Sequence, residues 1–170
     1  MDANLRRDIV LTKINSHTPI SASALAKELD VSRQVIVGDV ALLRASGHDI
    51  IATARGYVIP EFRGLNQYVG KIPCRHNTQD TAQELYTIVD LGATIVNVIV
   101  EHELYGEMTG QLNIKTREDV AAFVKRVAAA EVKLLSELSG GIHLHTIACR
   151  DKPHFEQVYR ALGDAGFLVS

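Results

Sequence analysis

The chain has 170 residues, 46% of them hydrophobic and 22% charged, with a formal net charge of −2. That composition is ordinary for a globular protein, leaves room for one large domain or two small ones, and excludes a protein that coats nucleic acid through bulk charge. No apolar run approaches the length of a membrane span, MDANLRRDIV lacks a signal-peptide h-region, and Cys74 and Cys149 make no disulfide framework. The expectation is a cytoplasmic protein with reduced thiols and no membrane partner.

Residues 1–60 carry 7 Lys+Arg against 6 Asp+Glu, one net positive charge, which leaves −3 for the rest. Any DNA binding must therefore rest on locally placed cations and on shape. Leu5, Ile9 and Ile14 form the apolar stripe of a first helix, with Arg6, Arg7 and Lys13 around it, and Pro19 stops it. Ser21 or Ser23 caps a second helix with Leu25, Ala26 and Leu29 in its core, and Asp30-Val31 is a short turn. Ser32 caps a third helix running to about Ala45. Ile36, Val40 and Leu43 fall on one face of it, and Arg33, Gln34, Val37 and Gly38 on the other.

That outward face presents donors, an amide, a small apolar group and a gap, which suit base edges in a major groove. Ile50-Ile51, Thr53–Gly56 and Tyr57–Ile59 read as strand, tight turn and strand. Helix, turn, helix and small hairpin make a winged helix-turn-helix over residues 1–60. The candidate DNA-contacting residues are Ser32, Arg33, Gln34, Val37 and Arg44 on the helix, with Thr53 and Arg55 in the wing.

Residues 61–70, with Gly64 and Gly70, have little periodicity and read as a linker. Over 71–170 the rhythm changes to alternating strand and helix. KIPCRH is a strand, NTQDTAQELYTIVDLG a helix, TIVNVIVEHEL and GEMTGQLNI two strands, and TREDVAAFVKRVAAAEVKLLSEL one long helix capped at Thr116. GIHLHTIAC is a strand, DKPHFEQVYRALGDAG a helix, and FLVS a last strand. The fold class is α+β, with helices stacked on a mixed sheet as a sandwich.

The seven histidines are unevenly placed. His143 and His145 lie two apart in a strand and so share a face. His76 ends the first strand of this domain, just before a helix that carries Glu84. Together His76, Glu84, His143 and His145 offer three ring nitrogens and a carboxylate. That set suits Zn²⁺, Fe²⁺, Ni²⁺ or Mn²⁺ and not Ca²⁺ or Mg²⁺. Cys74 shares strand parity with His76, and Cys149 with His145, but a buried free cysteine is ordinarily a small core residue. His17, His48 and His154 read as structural or exposed.

RQVIVGDVALLRASGHDIIATARGYVI, His76, the HxxYGE segment at His102–Glu107, LNIKTREDVAAFV and the HLH of His143–His145 together resemble the niacin-responsive transcriptional repressors. The resemblance covers essentially the whole chain. It implies a repressor of NAD-biosynthesis or niacin-uptake genes, with nicotinic acid as co-repressor. It also implies a homodimer on a pseudo-palindromic operator and a divalent metal on His76, Glu84, His143 and His145. Nicotinate would bind beside that metal, with His102 and Tyr105 lining the pocket. Two positions depart from the family pattern: Glu103 stands where a proline is expected, and Gly38 where a larger polar residue is usual. The alternative from another class is a metal-dependent hydrolase with a regulatory DNA-binding domain, although no nucleophile elbow or phosphate loop accompanies the histidines.

Overall fold

The computed structural model describes residues 2–60 and 67–169. The chain divides into two compact units, residues 1–62 and 63–170.

In the first unit, α1 (Ala3–Lys13), α2 (Ala22–Glu28) and α3 (Arg33–Ala45) are each opened by a side-chain cap, from Asp2, Ser21 and Ser32. Ser21, and not Ser23, is thus the cap of the second helix. Asp30 takes the left-handed conformation (φ 52°) that lets the chain turn from α2 into α3. Val10, Leu25, Ile36, Val40, Leu43 and Ile50 close the core between the three helices. β1 (Ile51–Thr53) and β2 (Gly56–Val58) form the wing, and Ile20 bridges Tyr57 as a third, one-residue strand.

One polar group lies in that core region. Asp39 is 3% exposed and takes Arg6 Nε at 2.6 Å and Arg6 Nη2 at 3.1 Å. Arg7 approaches the same carboxylate at 3.6 Å. A buried carboxylate without a cation is costly, so these two arginines tie α1 to α3.

The second unit has β3 (Tyr68–Arg75), α4 (Thr81–Val89), β4 (Thr94–His102), β5 (Gly106–Ile114), α5 (Arg117–Ala130), β6 (Ile142–Cys149) and α6 (Lys152–Asp164). Of the expected linker, residues 61–66 lie outside the described residues, while residues 68–70 already belong to β3. The strand order is β3-β6-β4-β5, and every pairing is antiparallel, so the expected mixed sheet is antiparallel throughout its described strands. The reason is topological. α4 joins β3 to a strand running the same way, and α5 does so for β5 and β6, but each such pair is split by an antiparallel strand between them.

The helices cover one face of this sheet, to which Ile72, Cys74, His143, His145 and Ile147 point. Phe155 of α6 packs on Gly70, where an added Cβ would lie 2.6 Å from the ring. The expected last strand makes a single bridge, Leu168 to Cys74, and covers the outer edge of β3. The long helix expected from Thr116 to Leu138 stops at Ala130. Glu131 turns left-handed (φ 52°), and a short 3₁₀ turn, Leu135–Ser139, folds back over β4 and β6. Leu134 and Leu135 are thereby placed over the site described next instead of continuing a helix into solvent.

Candidate metal centre and nucleic-acid interface

Glu84 lies in the first turn of α4, 1% exposed, on the face turned to the sheet. Its Oε2 is 2.7 Å from His76 Nε2 and 2.9 Å from His143 Nε2, and its Oε1 is 2.6 Å from His145 Nε2. His143 and His145 come from alternate positions of β6, and His76 from just past β3. The four residues expected to form one site are therefore brought together by three different elements.

The other nitrogen of each ring decides what this cluster can do. His76 Nδ1 contacts the Asn77 carbonyl at 2.6 Å, His143 Nδ1 the Gly141 carbonyl at 2.8 Å and His145 Nδ1 the Asn97 carbonyl at 3.0 Å. A carbonyl oxygen only accepts, so all three rings donate from Nδ1, and Nε2 carries the lone pair in each neutral imidazole. Three lone pairs and a carboxylate then converge in a buried space, which needs protons or a cation between them. Backbone carbonyls that hold histidines in this tautomer are the usual second layer of a metal site. His76 Nε2 is buried and, for all its closeness to Glu84, has no hydrogen-bond geometry to any partner.

Electrostatics agree with the geometry. Burial opposes charge on His145 and His76, but the Glu84 carboxylate outweighs it and raises both above the ordinary imidazole value. Burial alone would raise the Glu84 carboxyl, yet the imidazoles hold it far below the usual carboxylate range.

Local backbone features build this arrangement. An irregularity in β4 between Ile95 and Asn97 shifts its register against β6, so that Ile95 and Val98, of opposite parity, both face the helices. Asn97 is left with its carbonyl on His145 and its side-chain oxygen on the Thr146 amide. Gly141 has φ +91° and passes so close to His76 that a Cβ there would lie 2.4 Å from the His76 carbonyl oxygen. The Gly140-Gly141 pair just before the HLH was the sequence signal for this turn, and pattern reading passed over it.

The chamber around the cluster has a volume of about 40 Å³ and is otherwise lined by the apolar Leu85, Val98, Leu112, Phe123, Leu134 and Leu135 and by the hydroxyl side chains of Thr81 and Ser136. His102 and Tyr105 do not line it. His102 ends β4, and its Nδ1 accepts from the Leu104 and Tyr105 amides at 3.1 and 3.4 Å, bracing the β4–β5 turn that Glu103 opens. Its Nε2–H is thus the nitrogen left to donate. It borders a separate groove of about 790 Å³ with Pro73, Ile99, Ile142 and Leu144. Tyr105 is 74% exposed, with its ring 5.1 Å from that of His102. Among the described residues, His143 alone lines both spaces. His154 is a structural histidine, as expected: its Nε2 donates to the Leu91 carbonyl at 2.7 Å, and Nδ1 accepts from the Arg150 amide at 3.2 Å.

On the candidate DNA face, Ser32, Arg33, Gln34, Gly38 and Arg44 are exposed. Val37 is half-buried against the core and offers only an edge, so its placement on the outward face needs correction: it flanks the stripe made by Ile36 and Val40. Val35, two positions earlier, is the exposed valine of this helix. The Ser32 oxygen accepts from the Val35 amide as a cap, and Thr53 Oγ1 donates to the Gly56 carbonyl and accepts from the Arg55 amide. Thr53 therefore shapes the wing turn at whose tip Arg55 stands.

Residues 6–58 match an HTH domain family and residues 69–170 the 3H domain family. The chain is 38% identical to the transcription repressor NadR of Bacillus subtilis, covering 99% of this chain and 95% of that one. It is 42% identical to the probable transcription repressor NiaR of Thermotoga maritima, covering 96% and 92%. The chain belongs to this family of 3H-domain transcription repressors. It is a DNA-binding regulator and not an enzyme, so the hydrolase alternative falls. No described helix is long and apolar enough to cross a membrane.

Proposed function

We propose that this repressor answers nicotinic acid as co-repressor, acts as a homodimer on a pseudo-palindromic operator of NAD-biosynthesis or niacin-uptake genes, and holds a divalent transition metal on His76, Glu84, His143 and His145. The observation that carries the metal is the trio of Nε2 atoms aimed at one buried carboxylate, each ring turned so that its Nδ1–H is donated to a main-chain oxygen and Nε2 is left for a proton or a cation. Three nitrogens and one oxygen suit Zn²⁺, Ni²⁺, Fe²⁺ or Mn²⁺. Such a metal, when bound, would supply positive charge inside a largely apolar chamber and join β3, β6 and α4.

The chamber beside the cluster is of water size, so the pyridine ring is assigned to the larger groove, which Pro73, Ile99 and Leu144 place on the opposite face of the sheet, with His143 as the strand residue bordering both. There the His102 Nε2–H is placed to donate to a carboxylate, and Tyr105 stands at the rim. The effector acts by binding one arrangement of the dimer better than the other, which shifts the population toward the DNA-binding form. A two-fold dimer sets its recognition helices about one DNA turn, ~34 Å, apart or a multiple of it.

Fluorescence anisotropy on DNA from the control regions of niacin-uptake and NAD-biosynthesis genes tests this reading. Operator affinity should rise when nicotinate is added. Equal affinity with and without nicotinate would remove it as co-repressor.

A further inference from the structure

A buried cysteine is ordinarily a packing residue, and Cys149, buried on β6 opposite Tyr68, is one. Cys74 is placed differently. It is fully buried and pairs directly with His143 across β3 and β6, on the same sheet face as both strand histidines. Its Sγ, a carboxylate oxygen of Glu84 and a ring nitrogen of His143 all lie within 4.8 Å of one another. Donor atoms on opposite sides of one ion, at roughly 2.3 Å for sulfur and 2.1 Å for nitrogen, stand about 4.4 Å apart. The thiol is thus within a small adjustment of a common centre with two members of the cluster.

We propose that Cys74 is a further protein ligand of the metal and tilts this site toward thiophilic ions. The inference rests on the metal reading given above. On binding, the Cys74 S–H bond breaks, its proton leaves to solvent, and the thiolate sulfur donates an electron pair to the divalent ion, with no change of oxidation state. The donor set becomes three imidazole nitrogens, one carboxylate oxygen and one thiolate. A soft sulfur favours Zn²⁺, Co²⁺ and Ni²⁺ over Mn²⁺, which a nitrogen-and-oxygen site discriminates less.

Cobalt separates this inference from the reading it rests on. Co²⁺ titrated into the full-length metal-free protein should give visible d–d bands, which report binding of any kind, and a near-ultraviolet sulfur-to-cobalt charge-transfer band, which reports the thiolate. Cys74→Ser should keep the d–d bands and lose the charge-transfer band, while Cys149→Ser keeps both. Cys74→Ser should also lower the ratio of Zn²⁺ to Mn²⁺ affinity by at least about 10-fold. The d–d bands without charge transfer in the wild type, or charge transfer surviving in Cys74→Ser, would overturn the role of Cys74 and leave the three-histidine site standing. Absence of every cobalt band would sink both. Circular dichroism of each variant verifies that it is folded, and Cys74→Ala provides a second substitution with the same expected loss.

Discussion

The α-carbon of Gly141 faces the main-chain oxygen of His76 so closely that a methyl group there would lie 2.4 Å from it. This contact locks the entry to β6 against the exit of β3, and the Gly141 carbonyl in turn holds His143 in its tautomer. Gly141→Ala should destabilise the protein by ~2–4 kcal/mol, from left-handed strain plus the clash, and reduce metal binding as well. Thermal denaturation with metal analysis of the purified variant checks this. Wild-type stability and full metal content would mean the loop relaxes freely.

The ligand residues should lose metal in a graded way. His143→Ala and His145→Ala each remove one nitrogen and should lower bound metal, and the double variant should hold none. Elemental analysis of protein purified without a histidine tag is decisive. Stoichiometric metal in the double variant would place the ion elsewhere.

Acid should expel the metal, and the sign follows from the shifts. Glu84 raises His76 and His145 above 6.5, so in the metal-free protein both hold protons at higher pH than a free imidazole. That pairing stabilises the metal-free fold below pH 6.5 and is lost as pH rises through the folded values. A metal needs the nitrogens bare, so its affinity should climb over the same window. Melting-temperature gains on adding Zn²⁺ should be small near pH 6 and large above pH 8. A gain independent of pH would argue against imidazole ligands.

Arg33 and Gln34 head the exposed side of α3, so Arg33→Ala or Gln34→Ala should cost about 1–3 kcal/mol of operator affinity and relax base preference. Arg55→Ala, at the wing, should weaken all sequences alike and reduce the salt slope by about one. Mobility-shift titrations on operator and scrambled DNA separate the two patterns. Unchanged operator affinity in Arg33→Ala would remove α3 from the groove.

Gly38 sits mid-helix at an exposed position where an added Cβ meets nothing within 4 Å. Folding alone therefore has no use for glycine there, and Gly38→Ala should stabilise the first unit by ~0.8–1 kcal/mol. If the gap serves close approach to DNA, the same variant should bind the operator less well. Higher stability with undiminished binding would make the position neutral.

Much of this protein was legible from local pattern. The caps at Ser32 and Thr116, the apolar stripe of α3, the alternation in β4 to β6 and the four residues His76, Glu84, His143 and His145 all follow from spacing, because helices and strands impose periods of 3.6 and 2 on side chains. Val37 was misplaced because a stripe has edges that periodicity alone cannot grade. The mixed sheet was misjudged because strand direction says nothing about which strand is inserted between two others. The long helix after Thr116 was overextended because nothing in the run through Ala130 foretells that Glu131 turns left-handed so that Leu134 and Leu135 can cover the cluster. What only the tertiary structure decided was chemical. Three imidazole rings turn Nε2 toward Glu84 because the carbonyls of Asn77, Asn97 and Gly141 accept the Nδ1–H on the other side of each ring. Cys74 reached the same centre because cross-strand register set it against His143. Residue types and periods name the donors of a site, whereas main-chain hydrogen bonds between distant segments set which lone pair each donor presents.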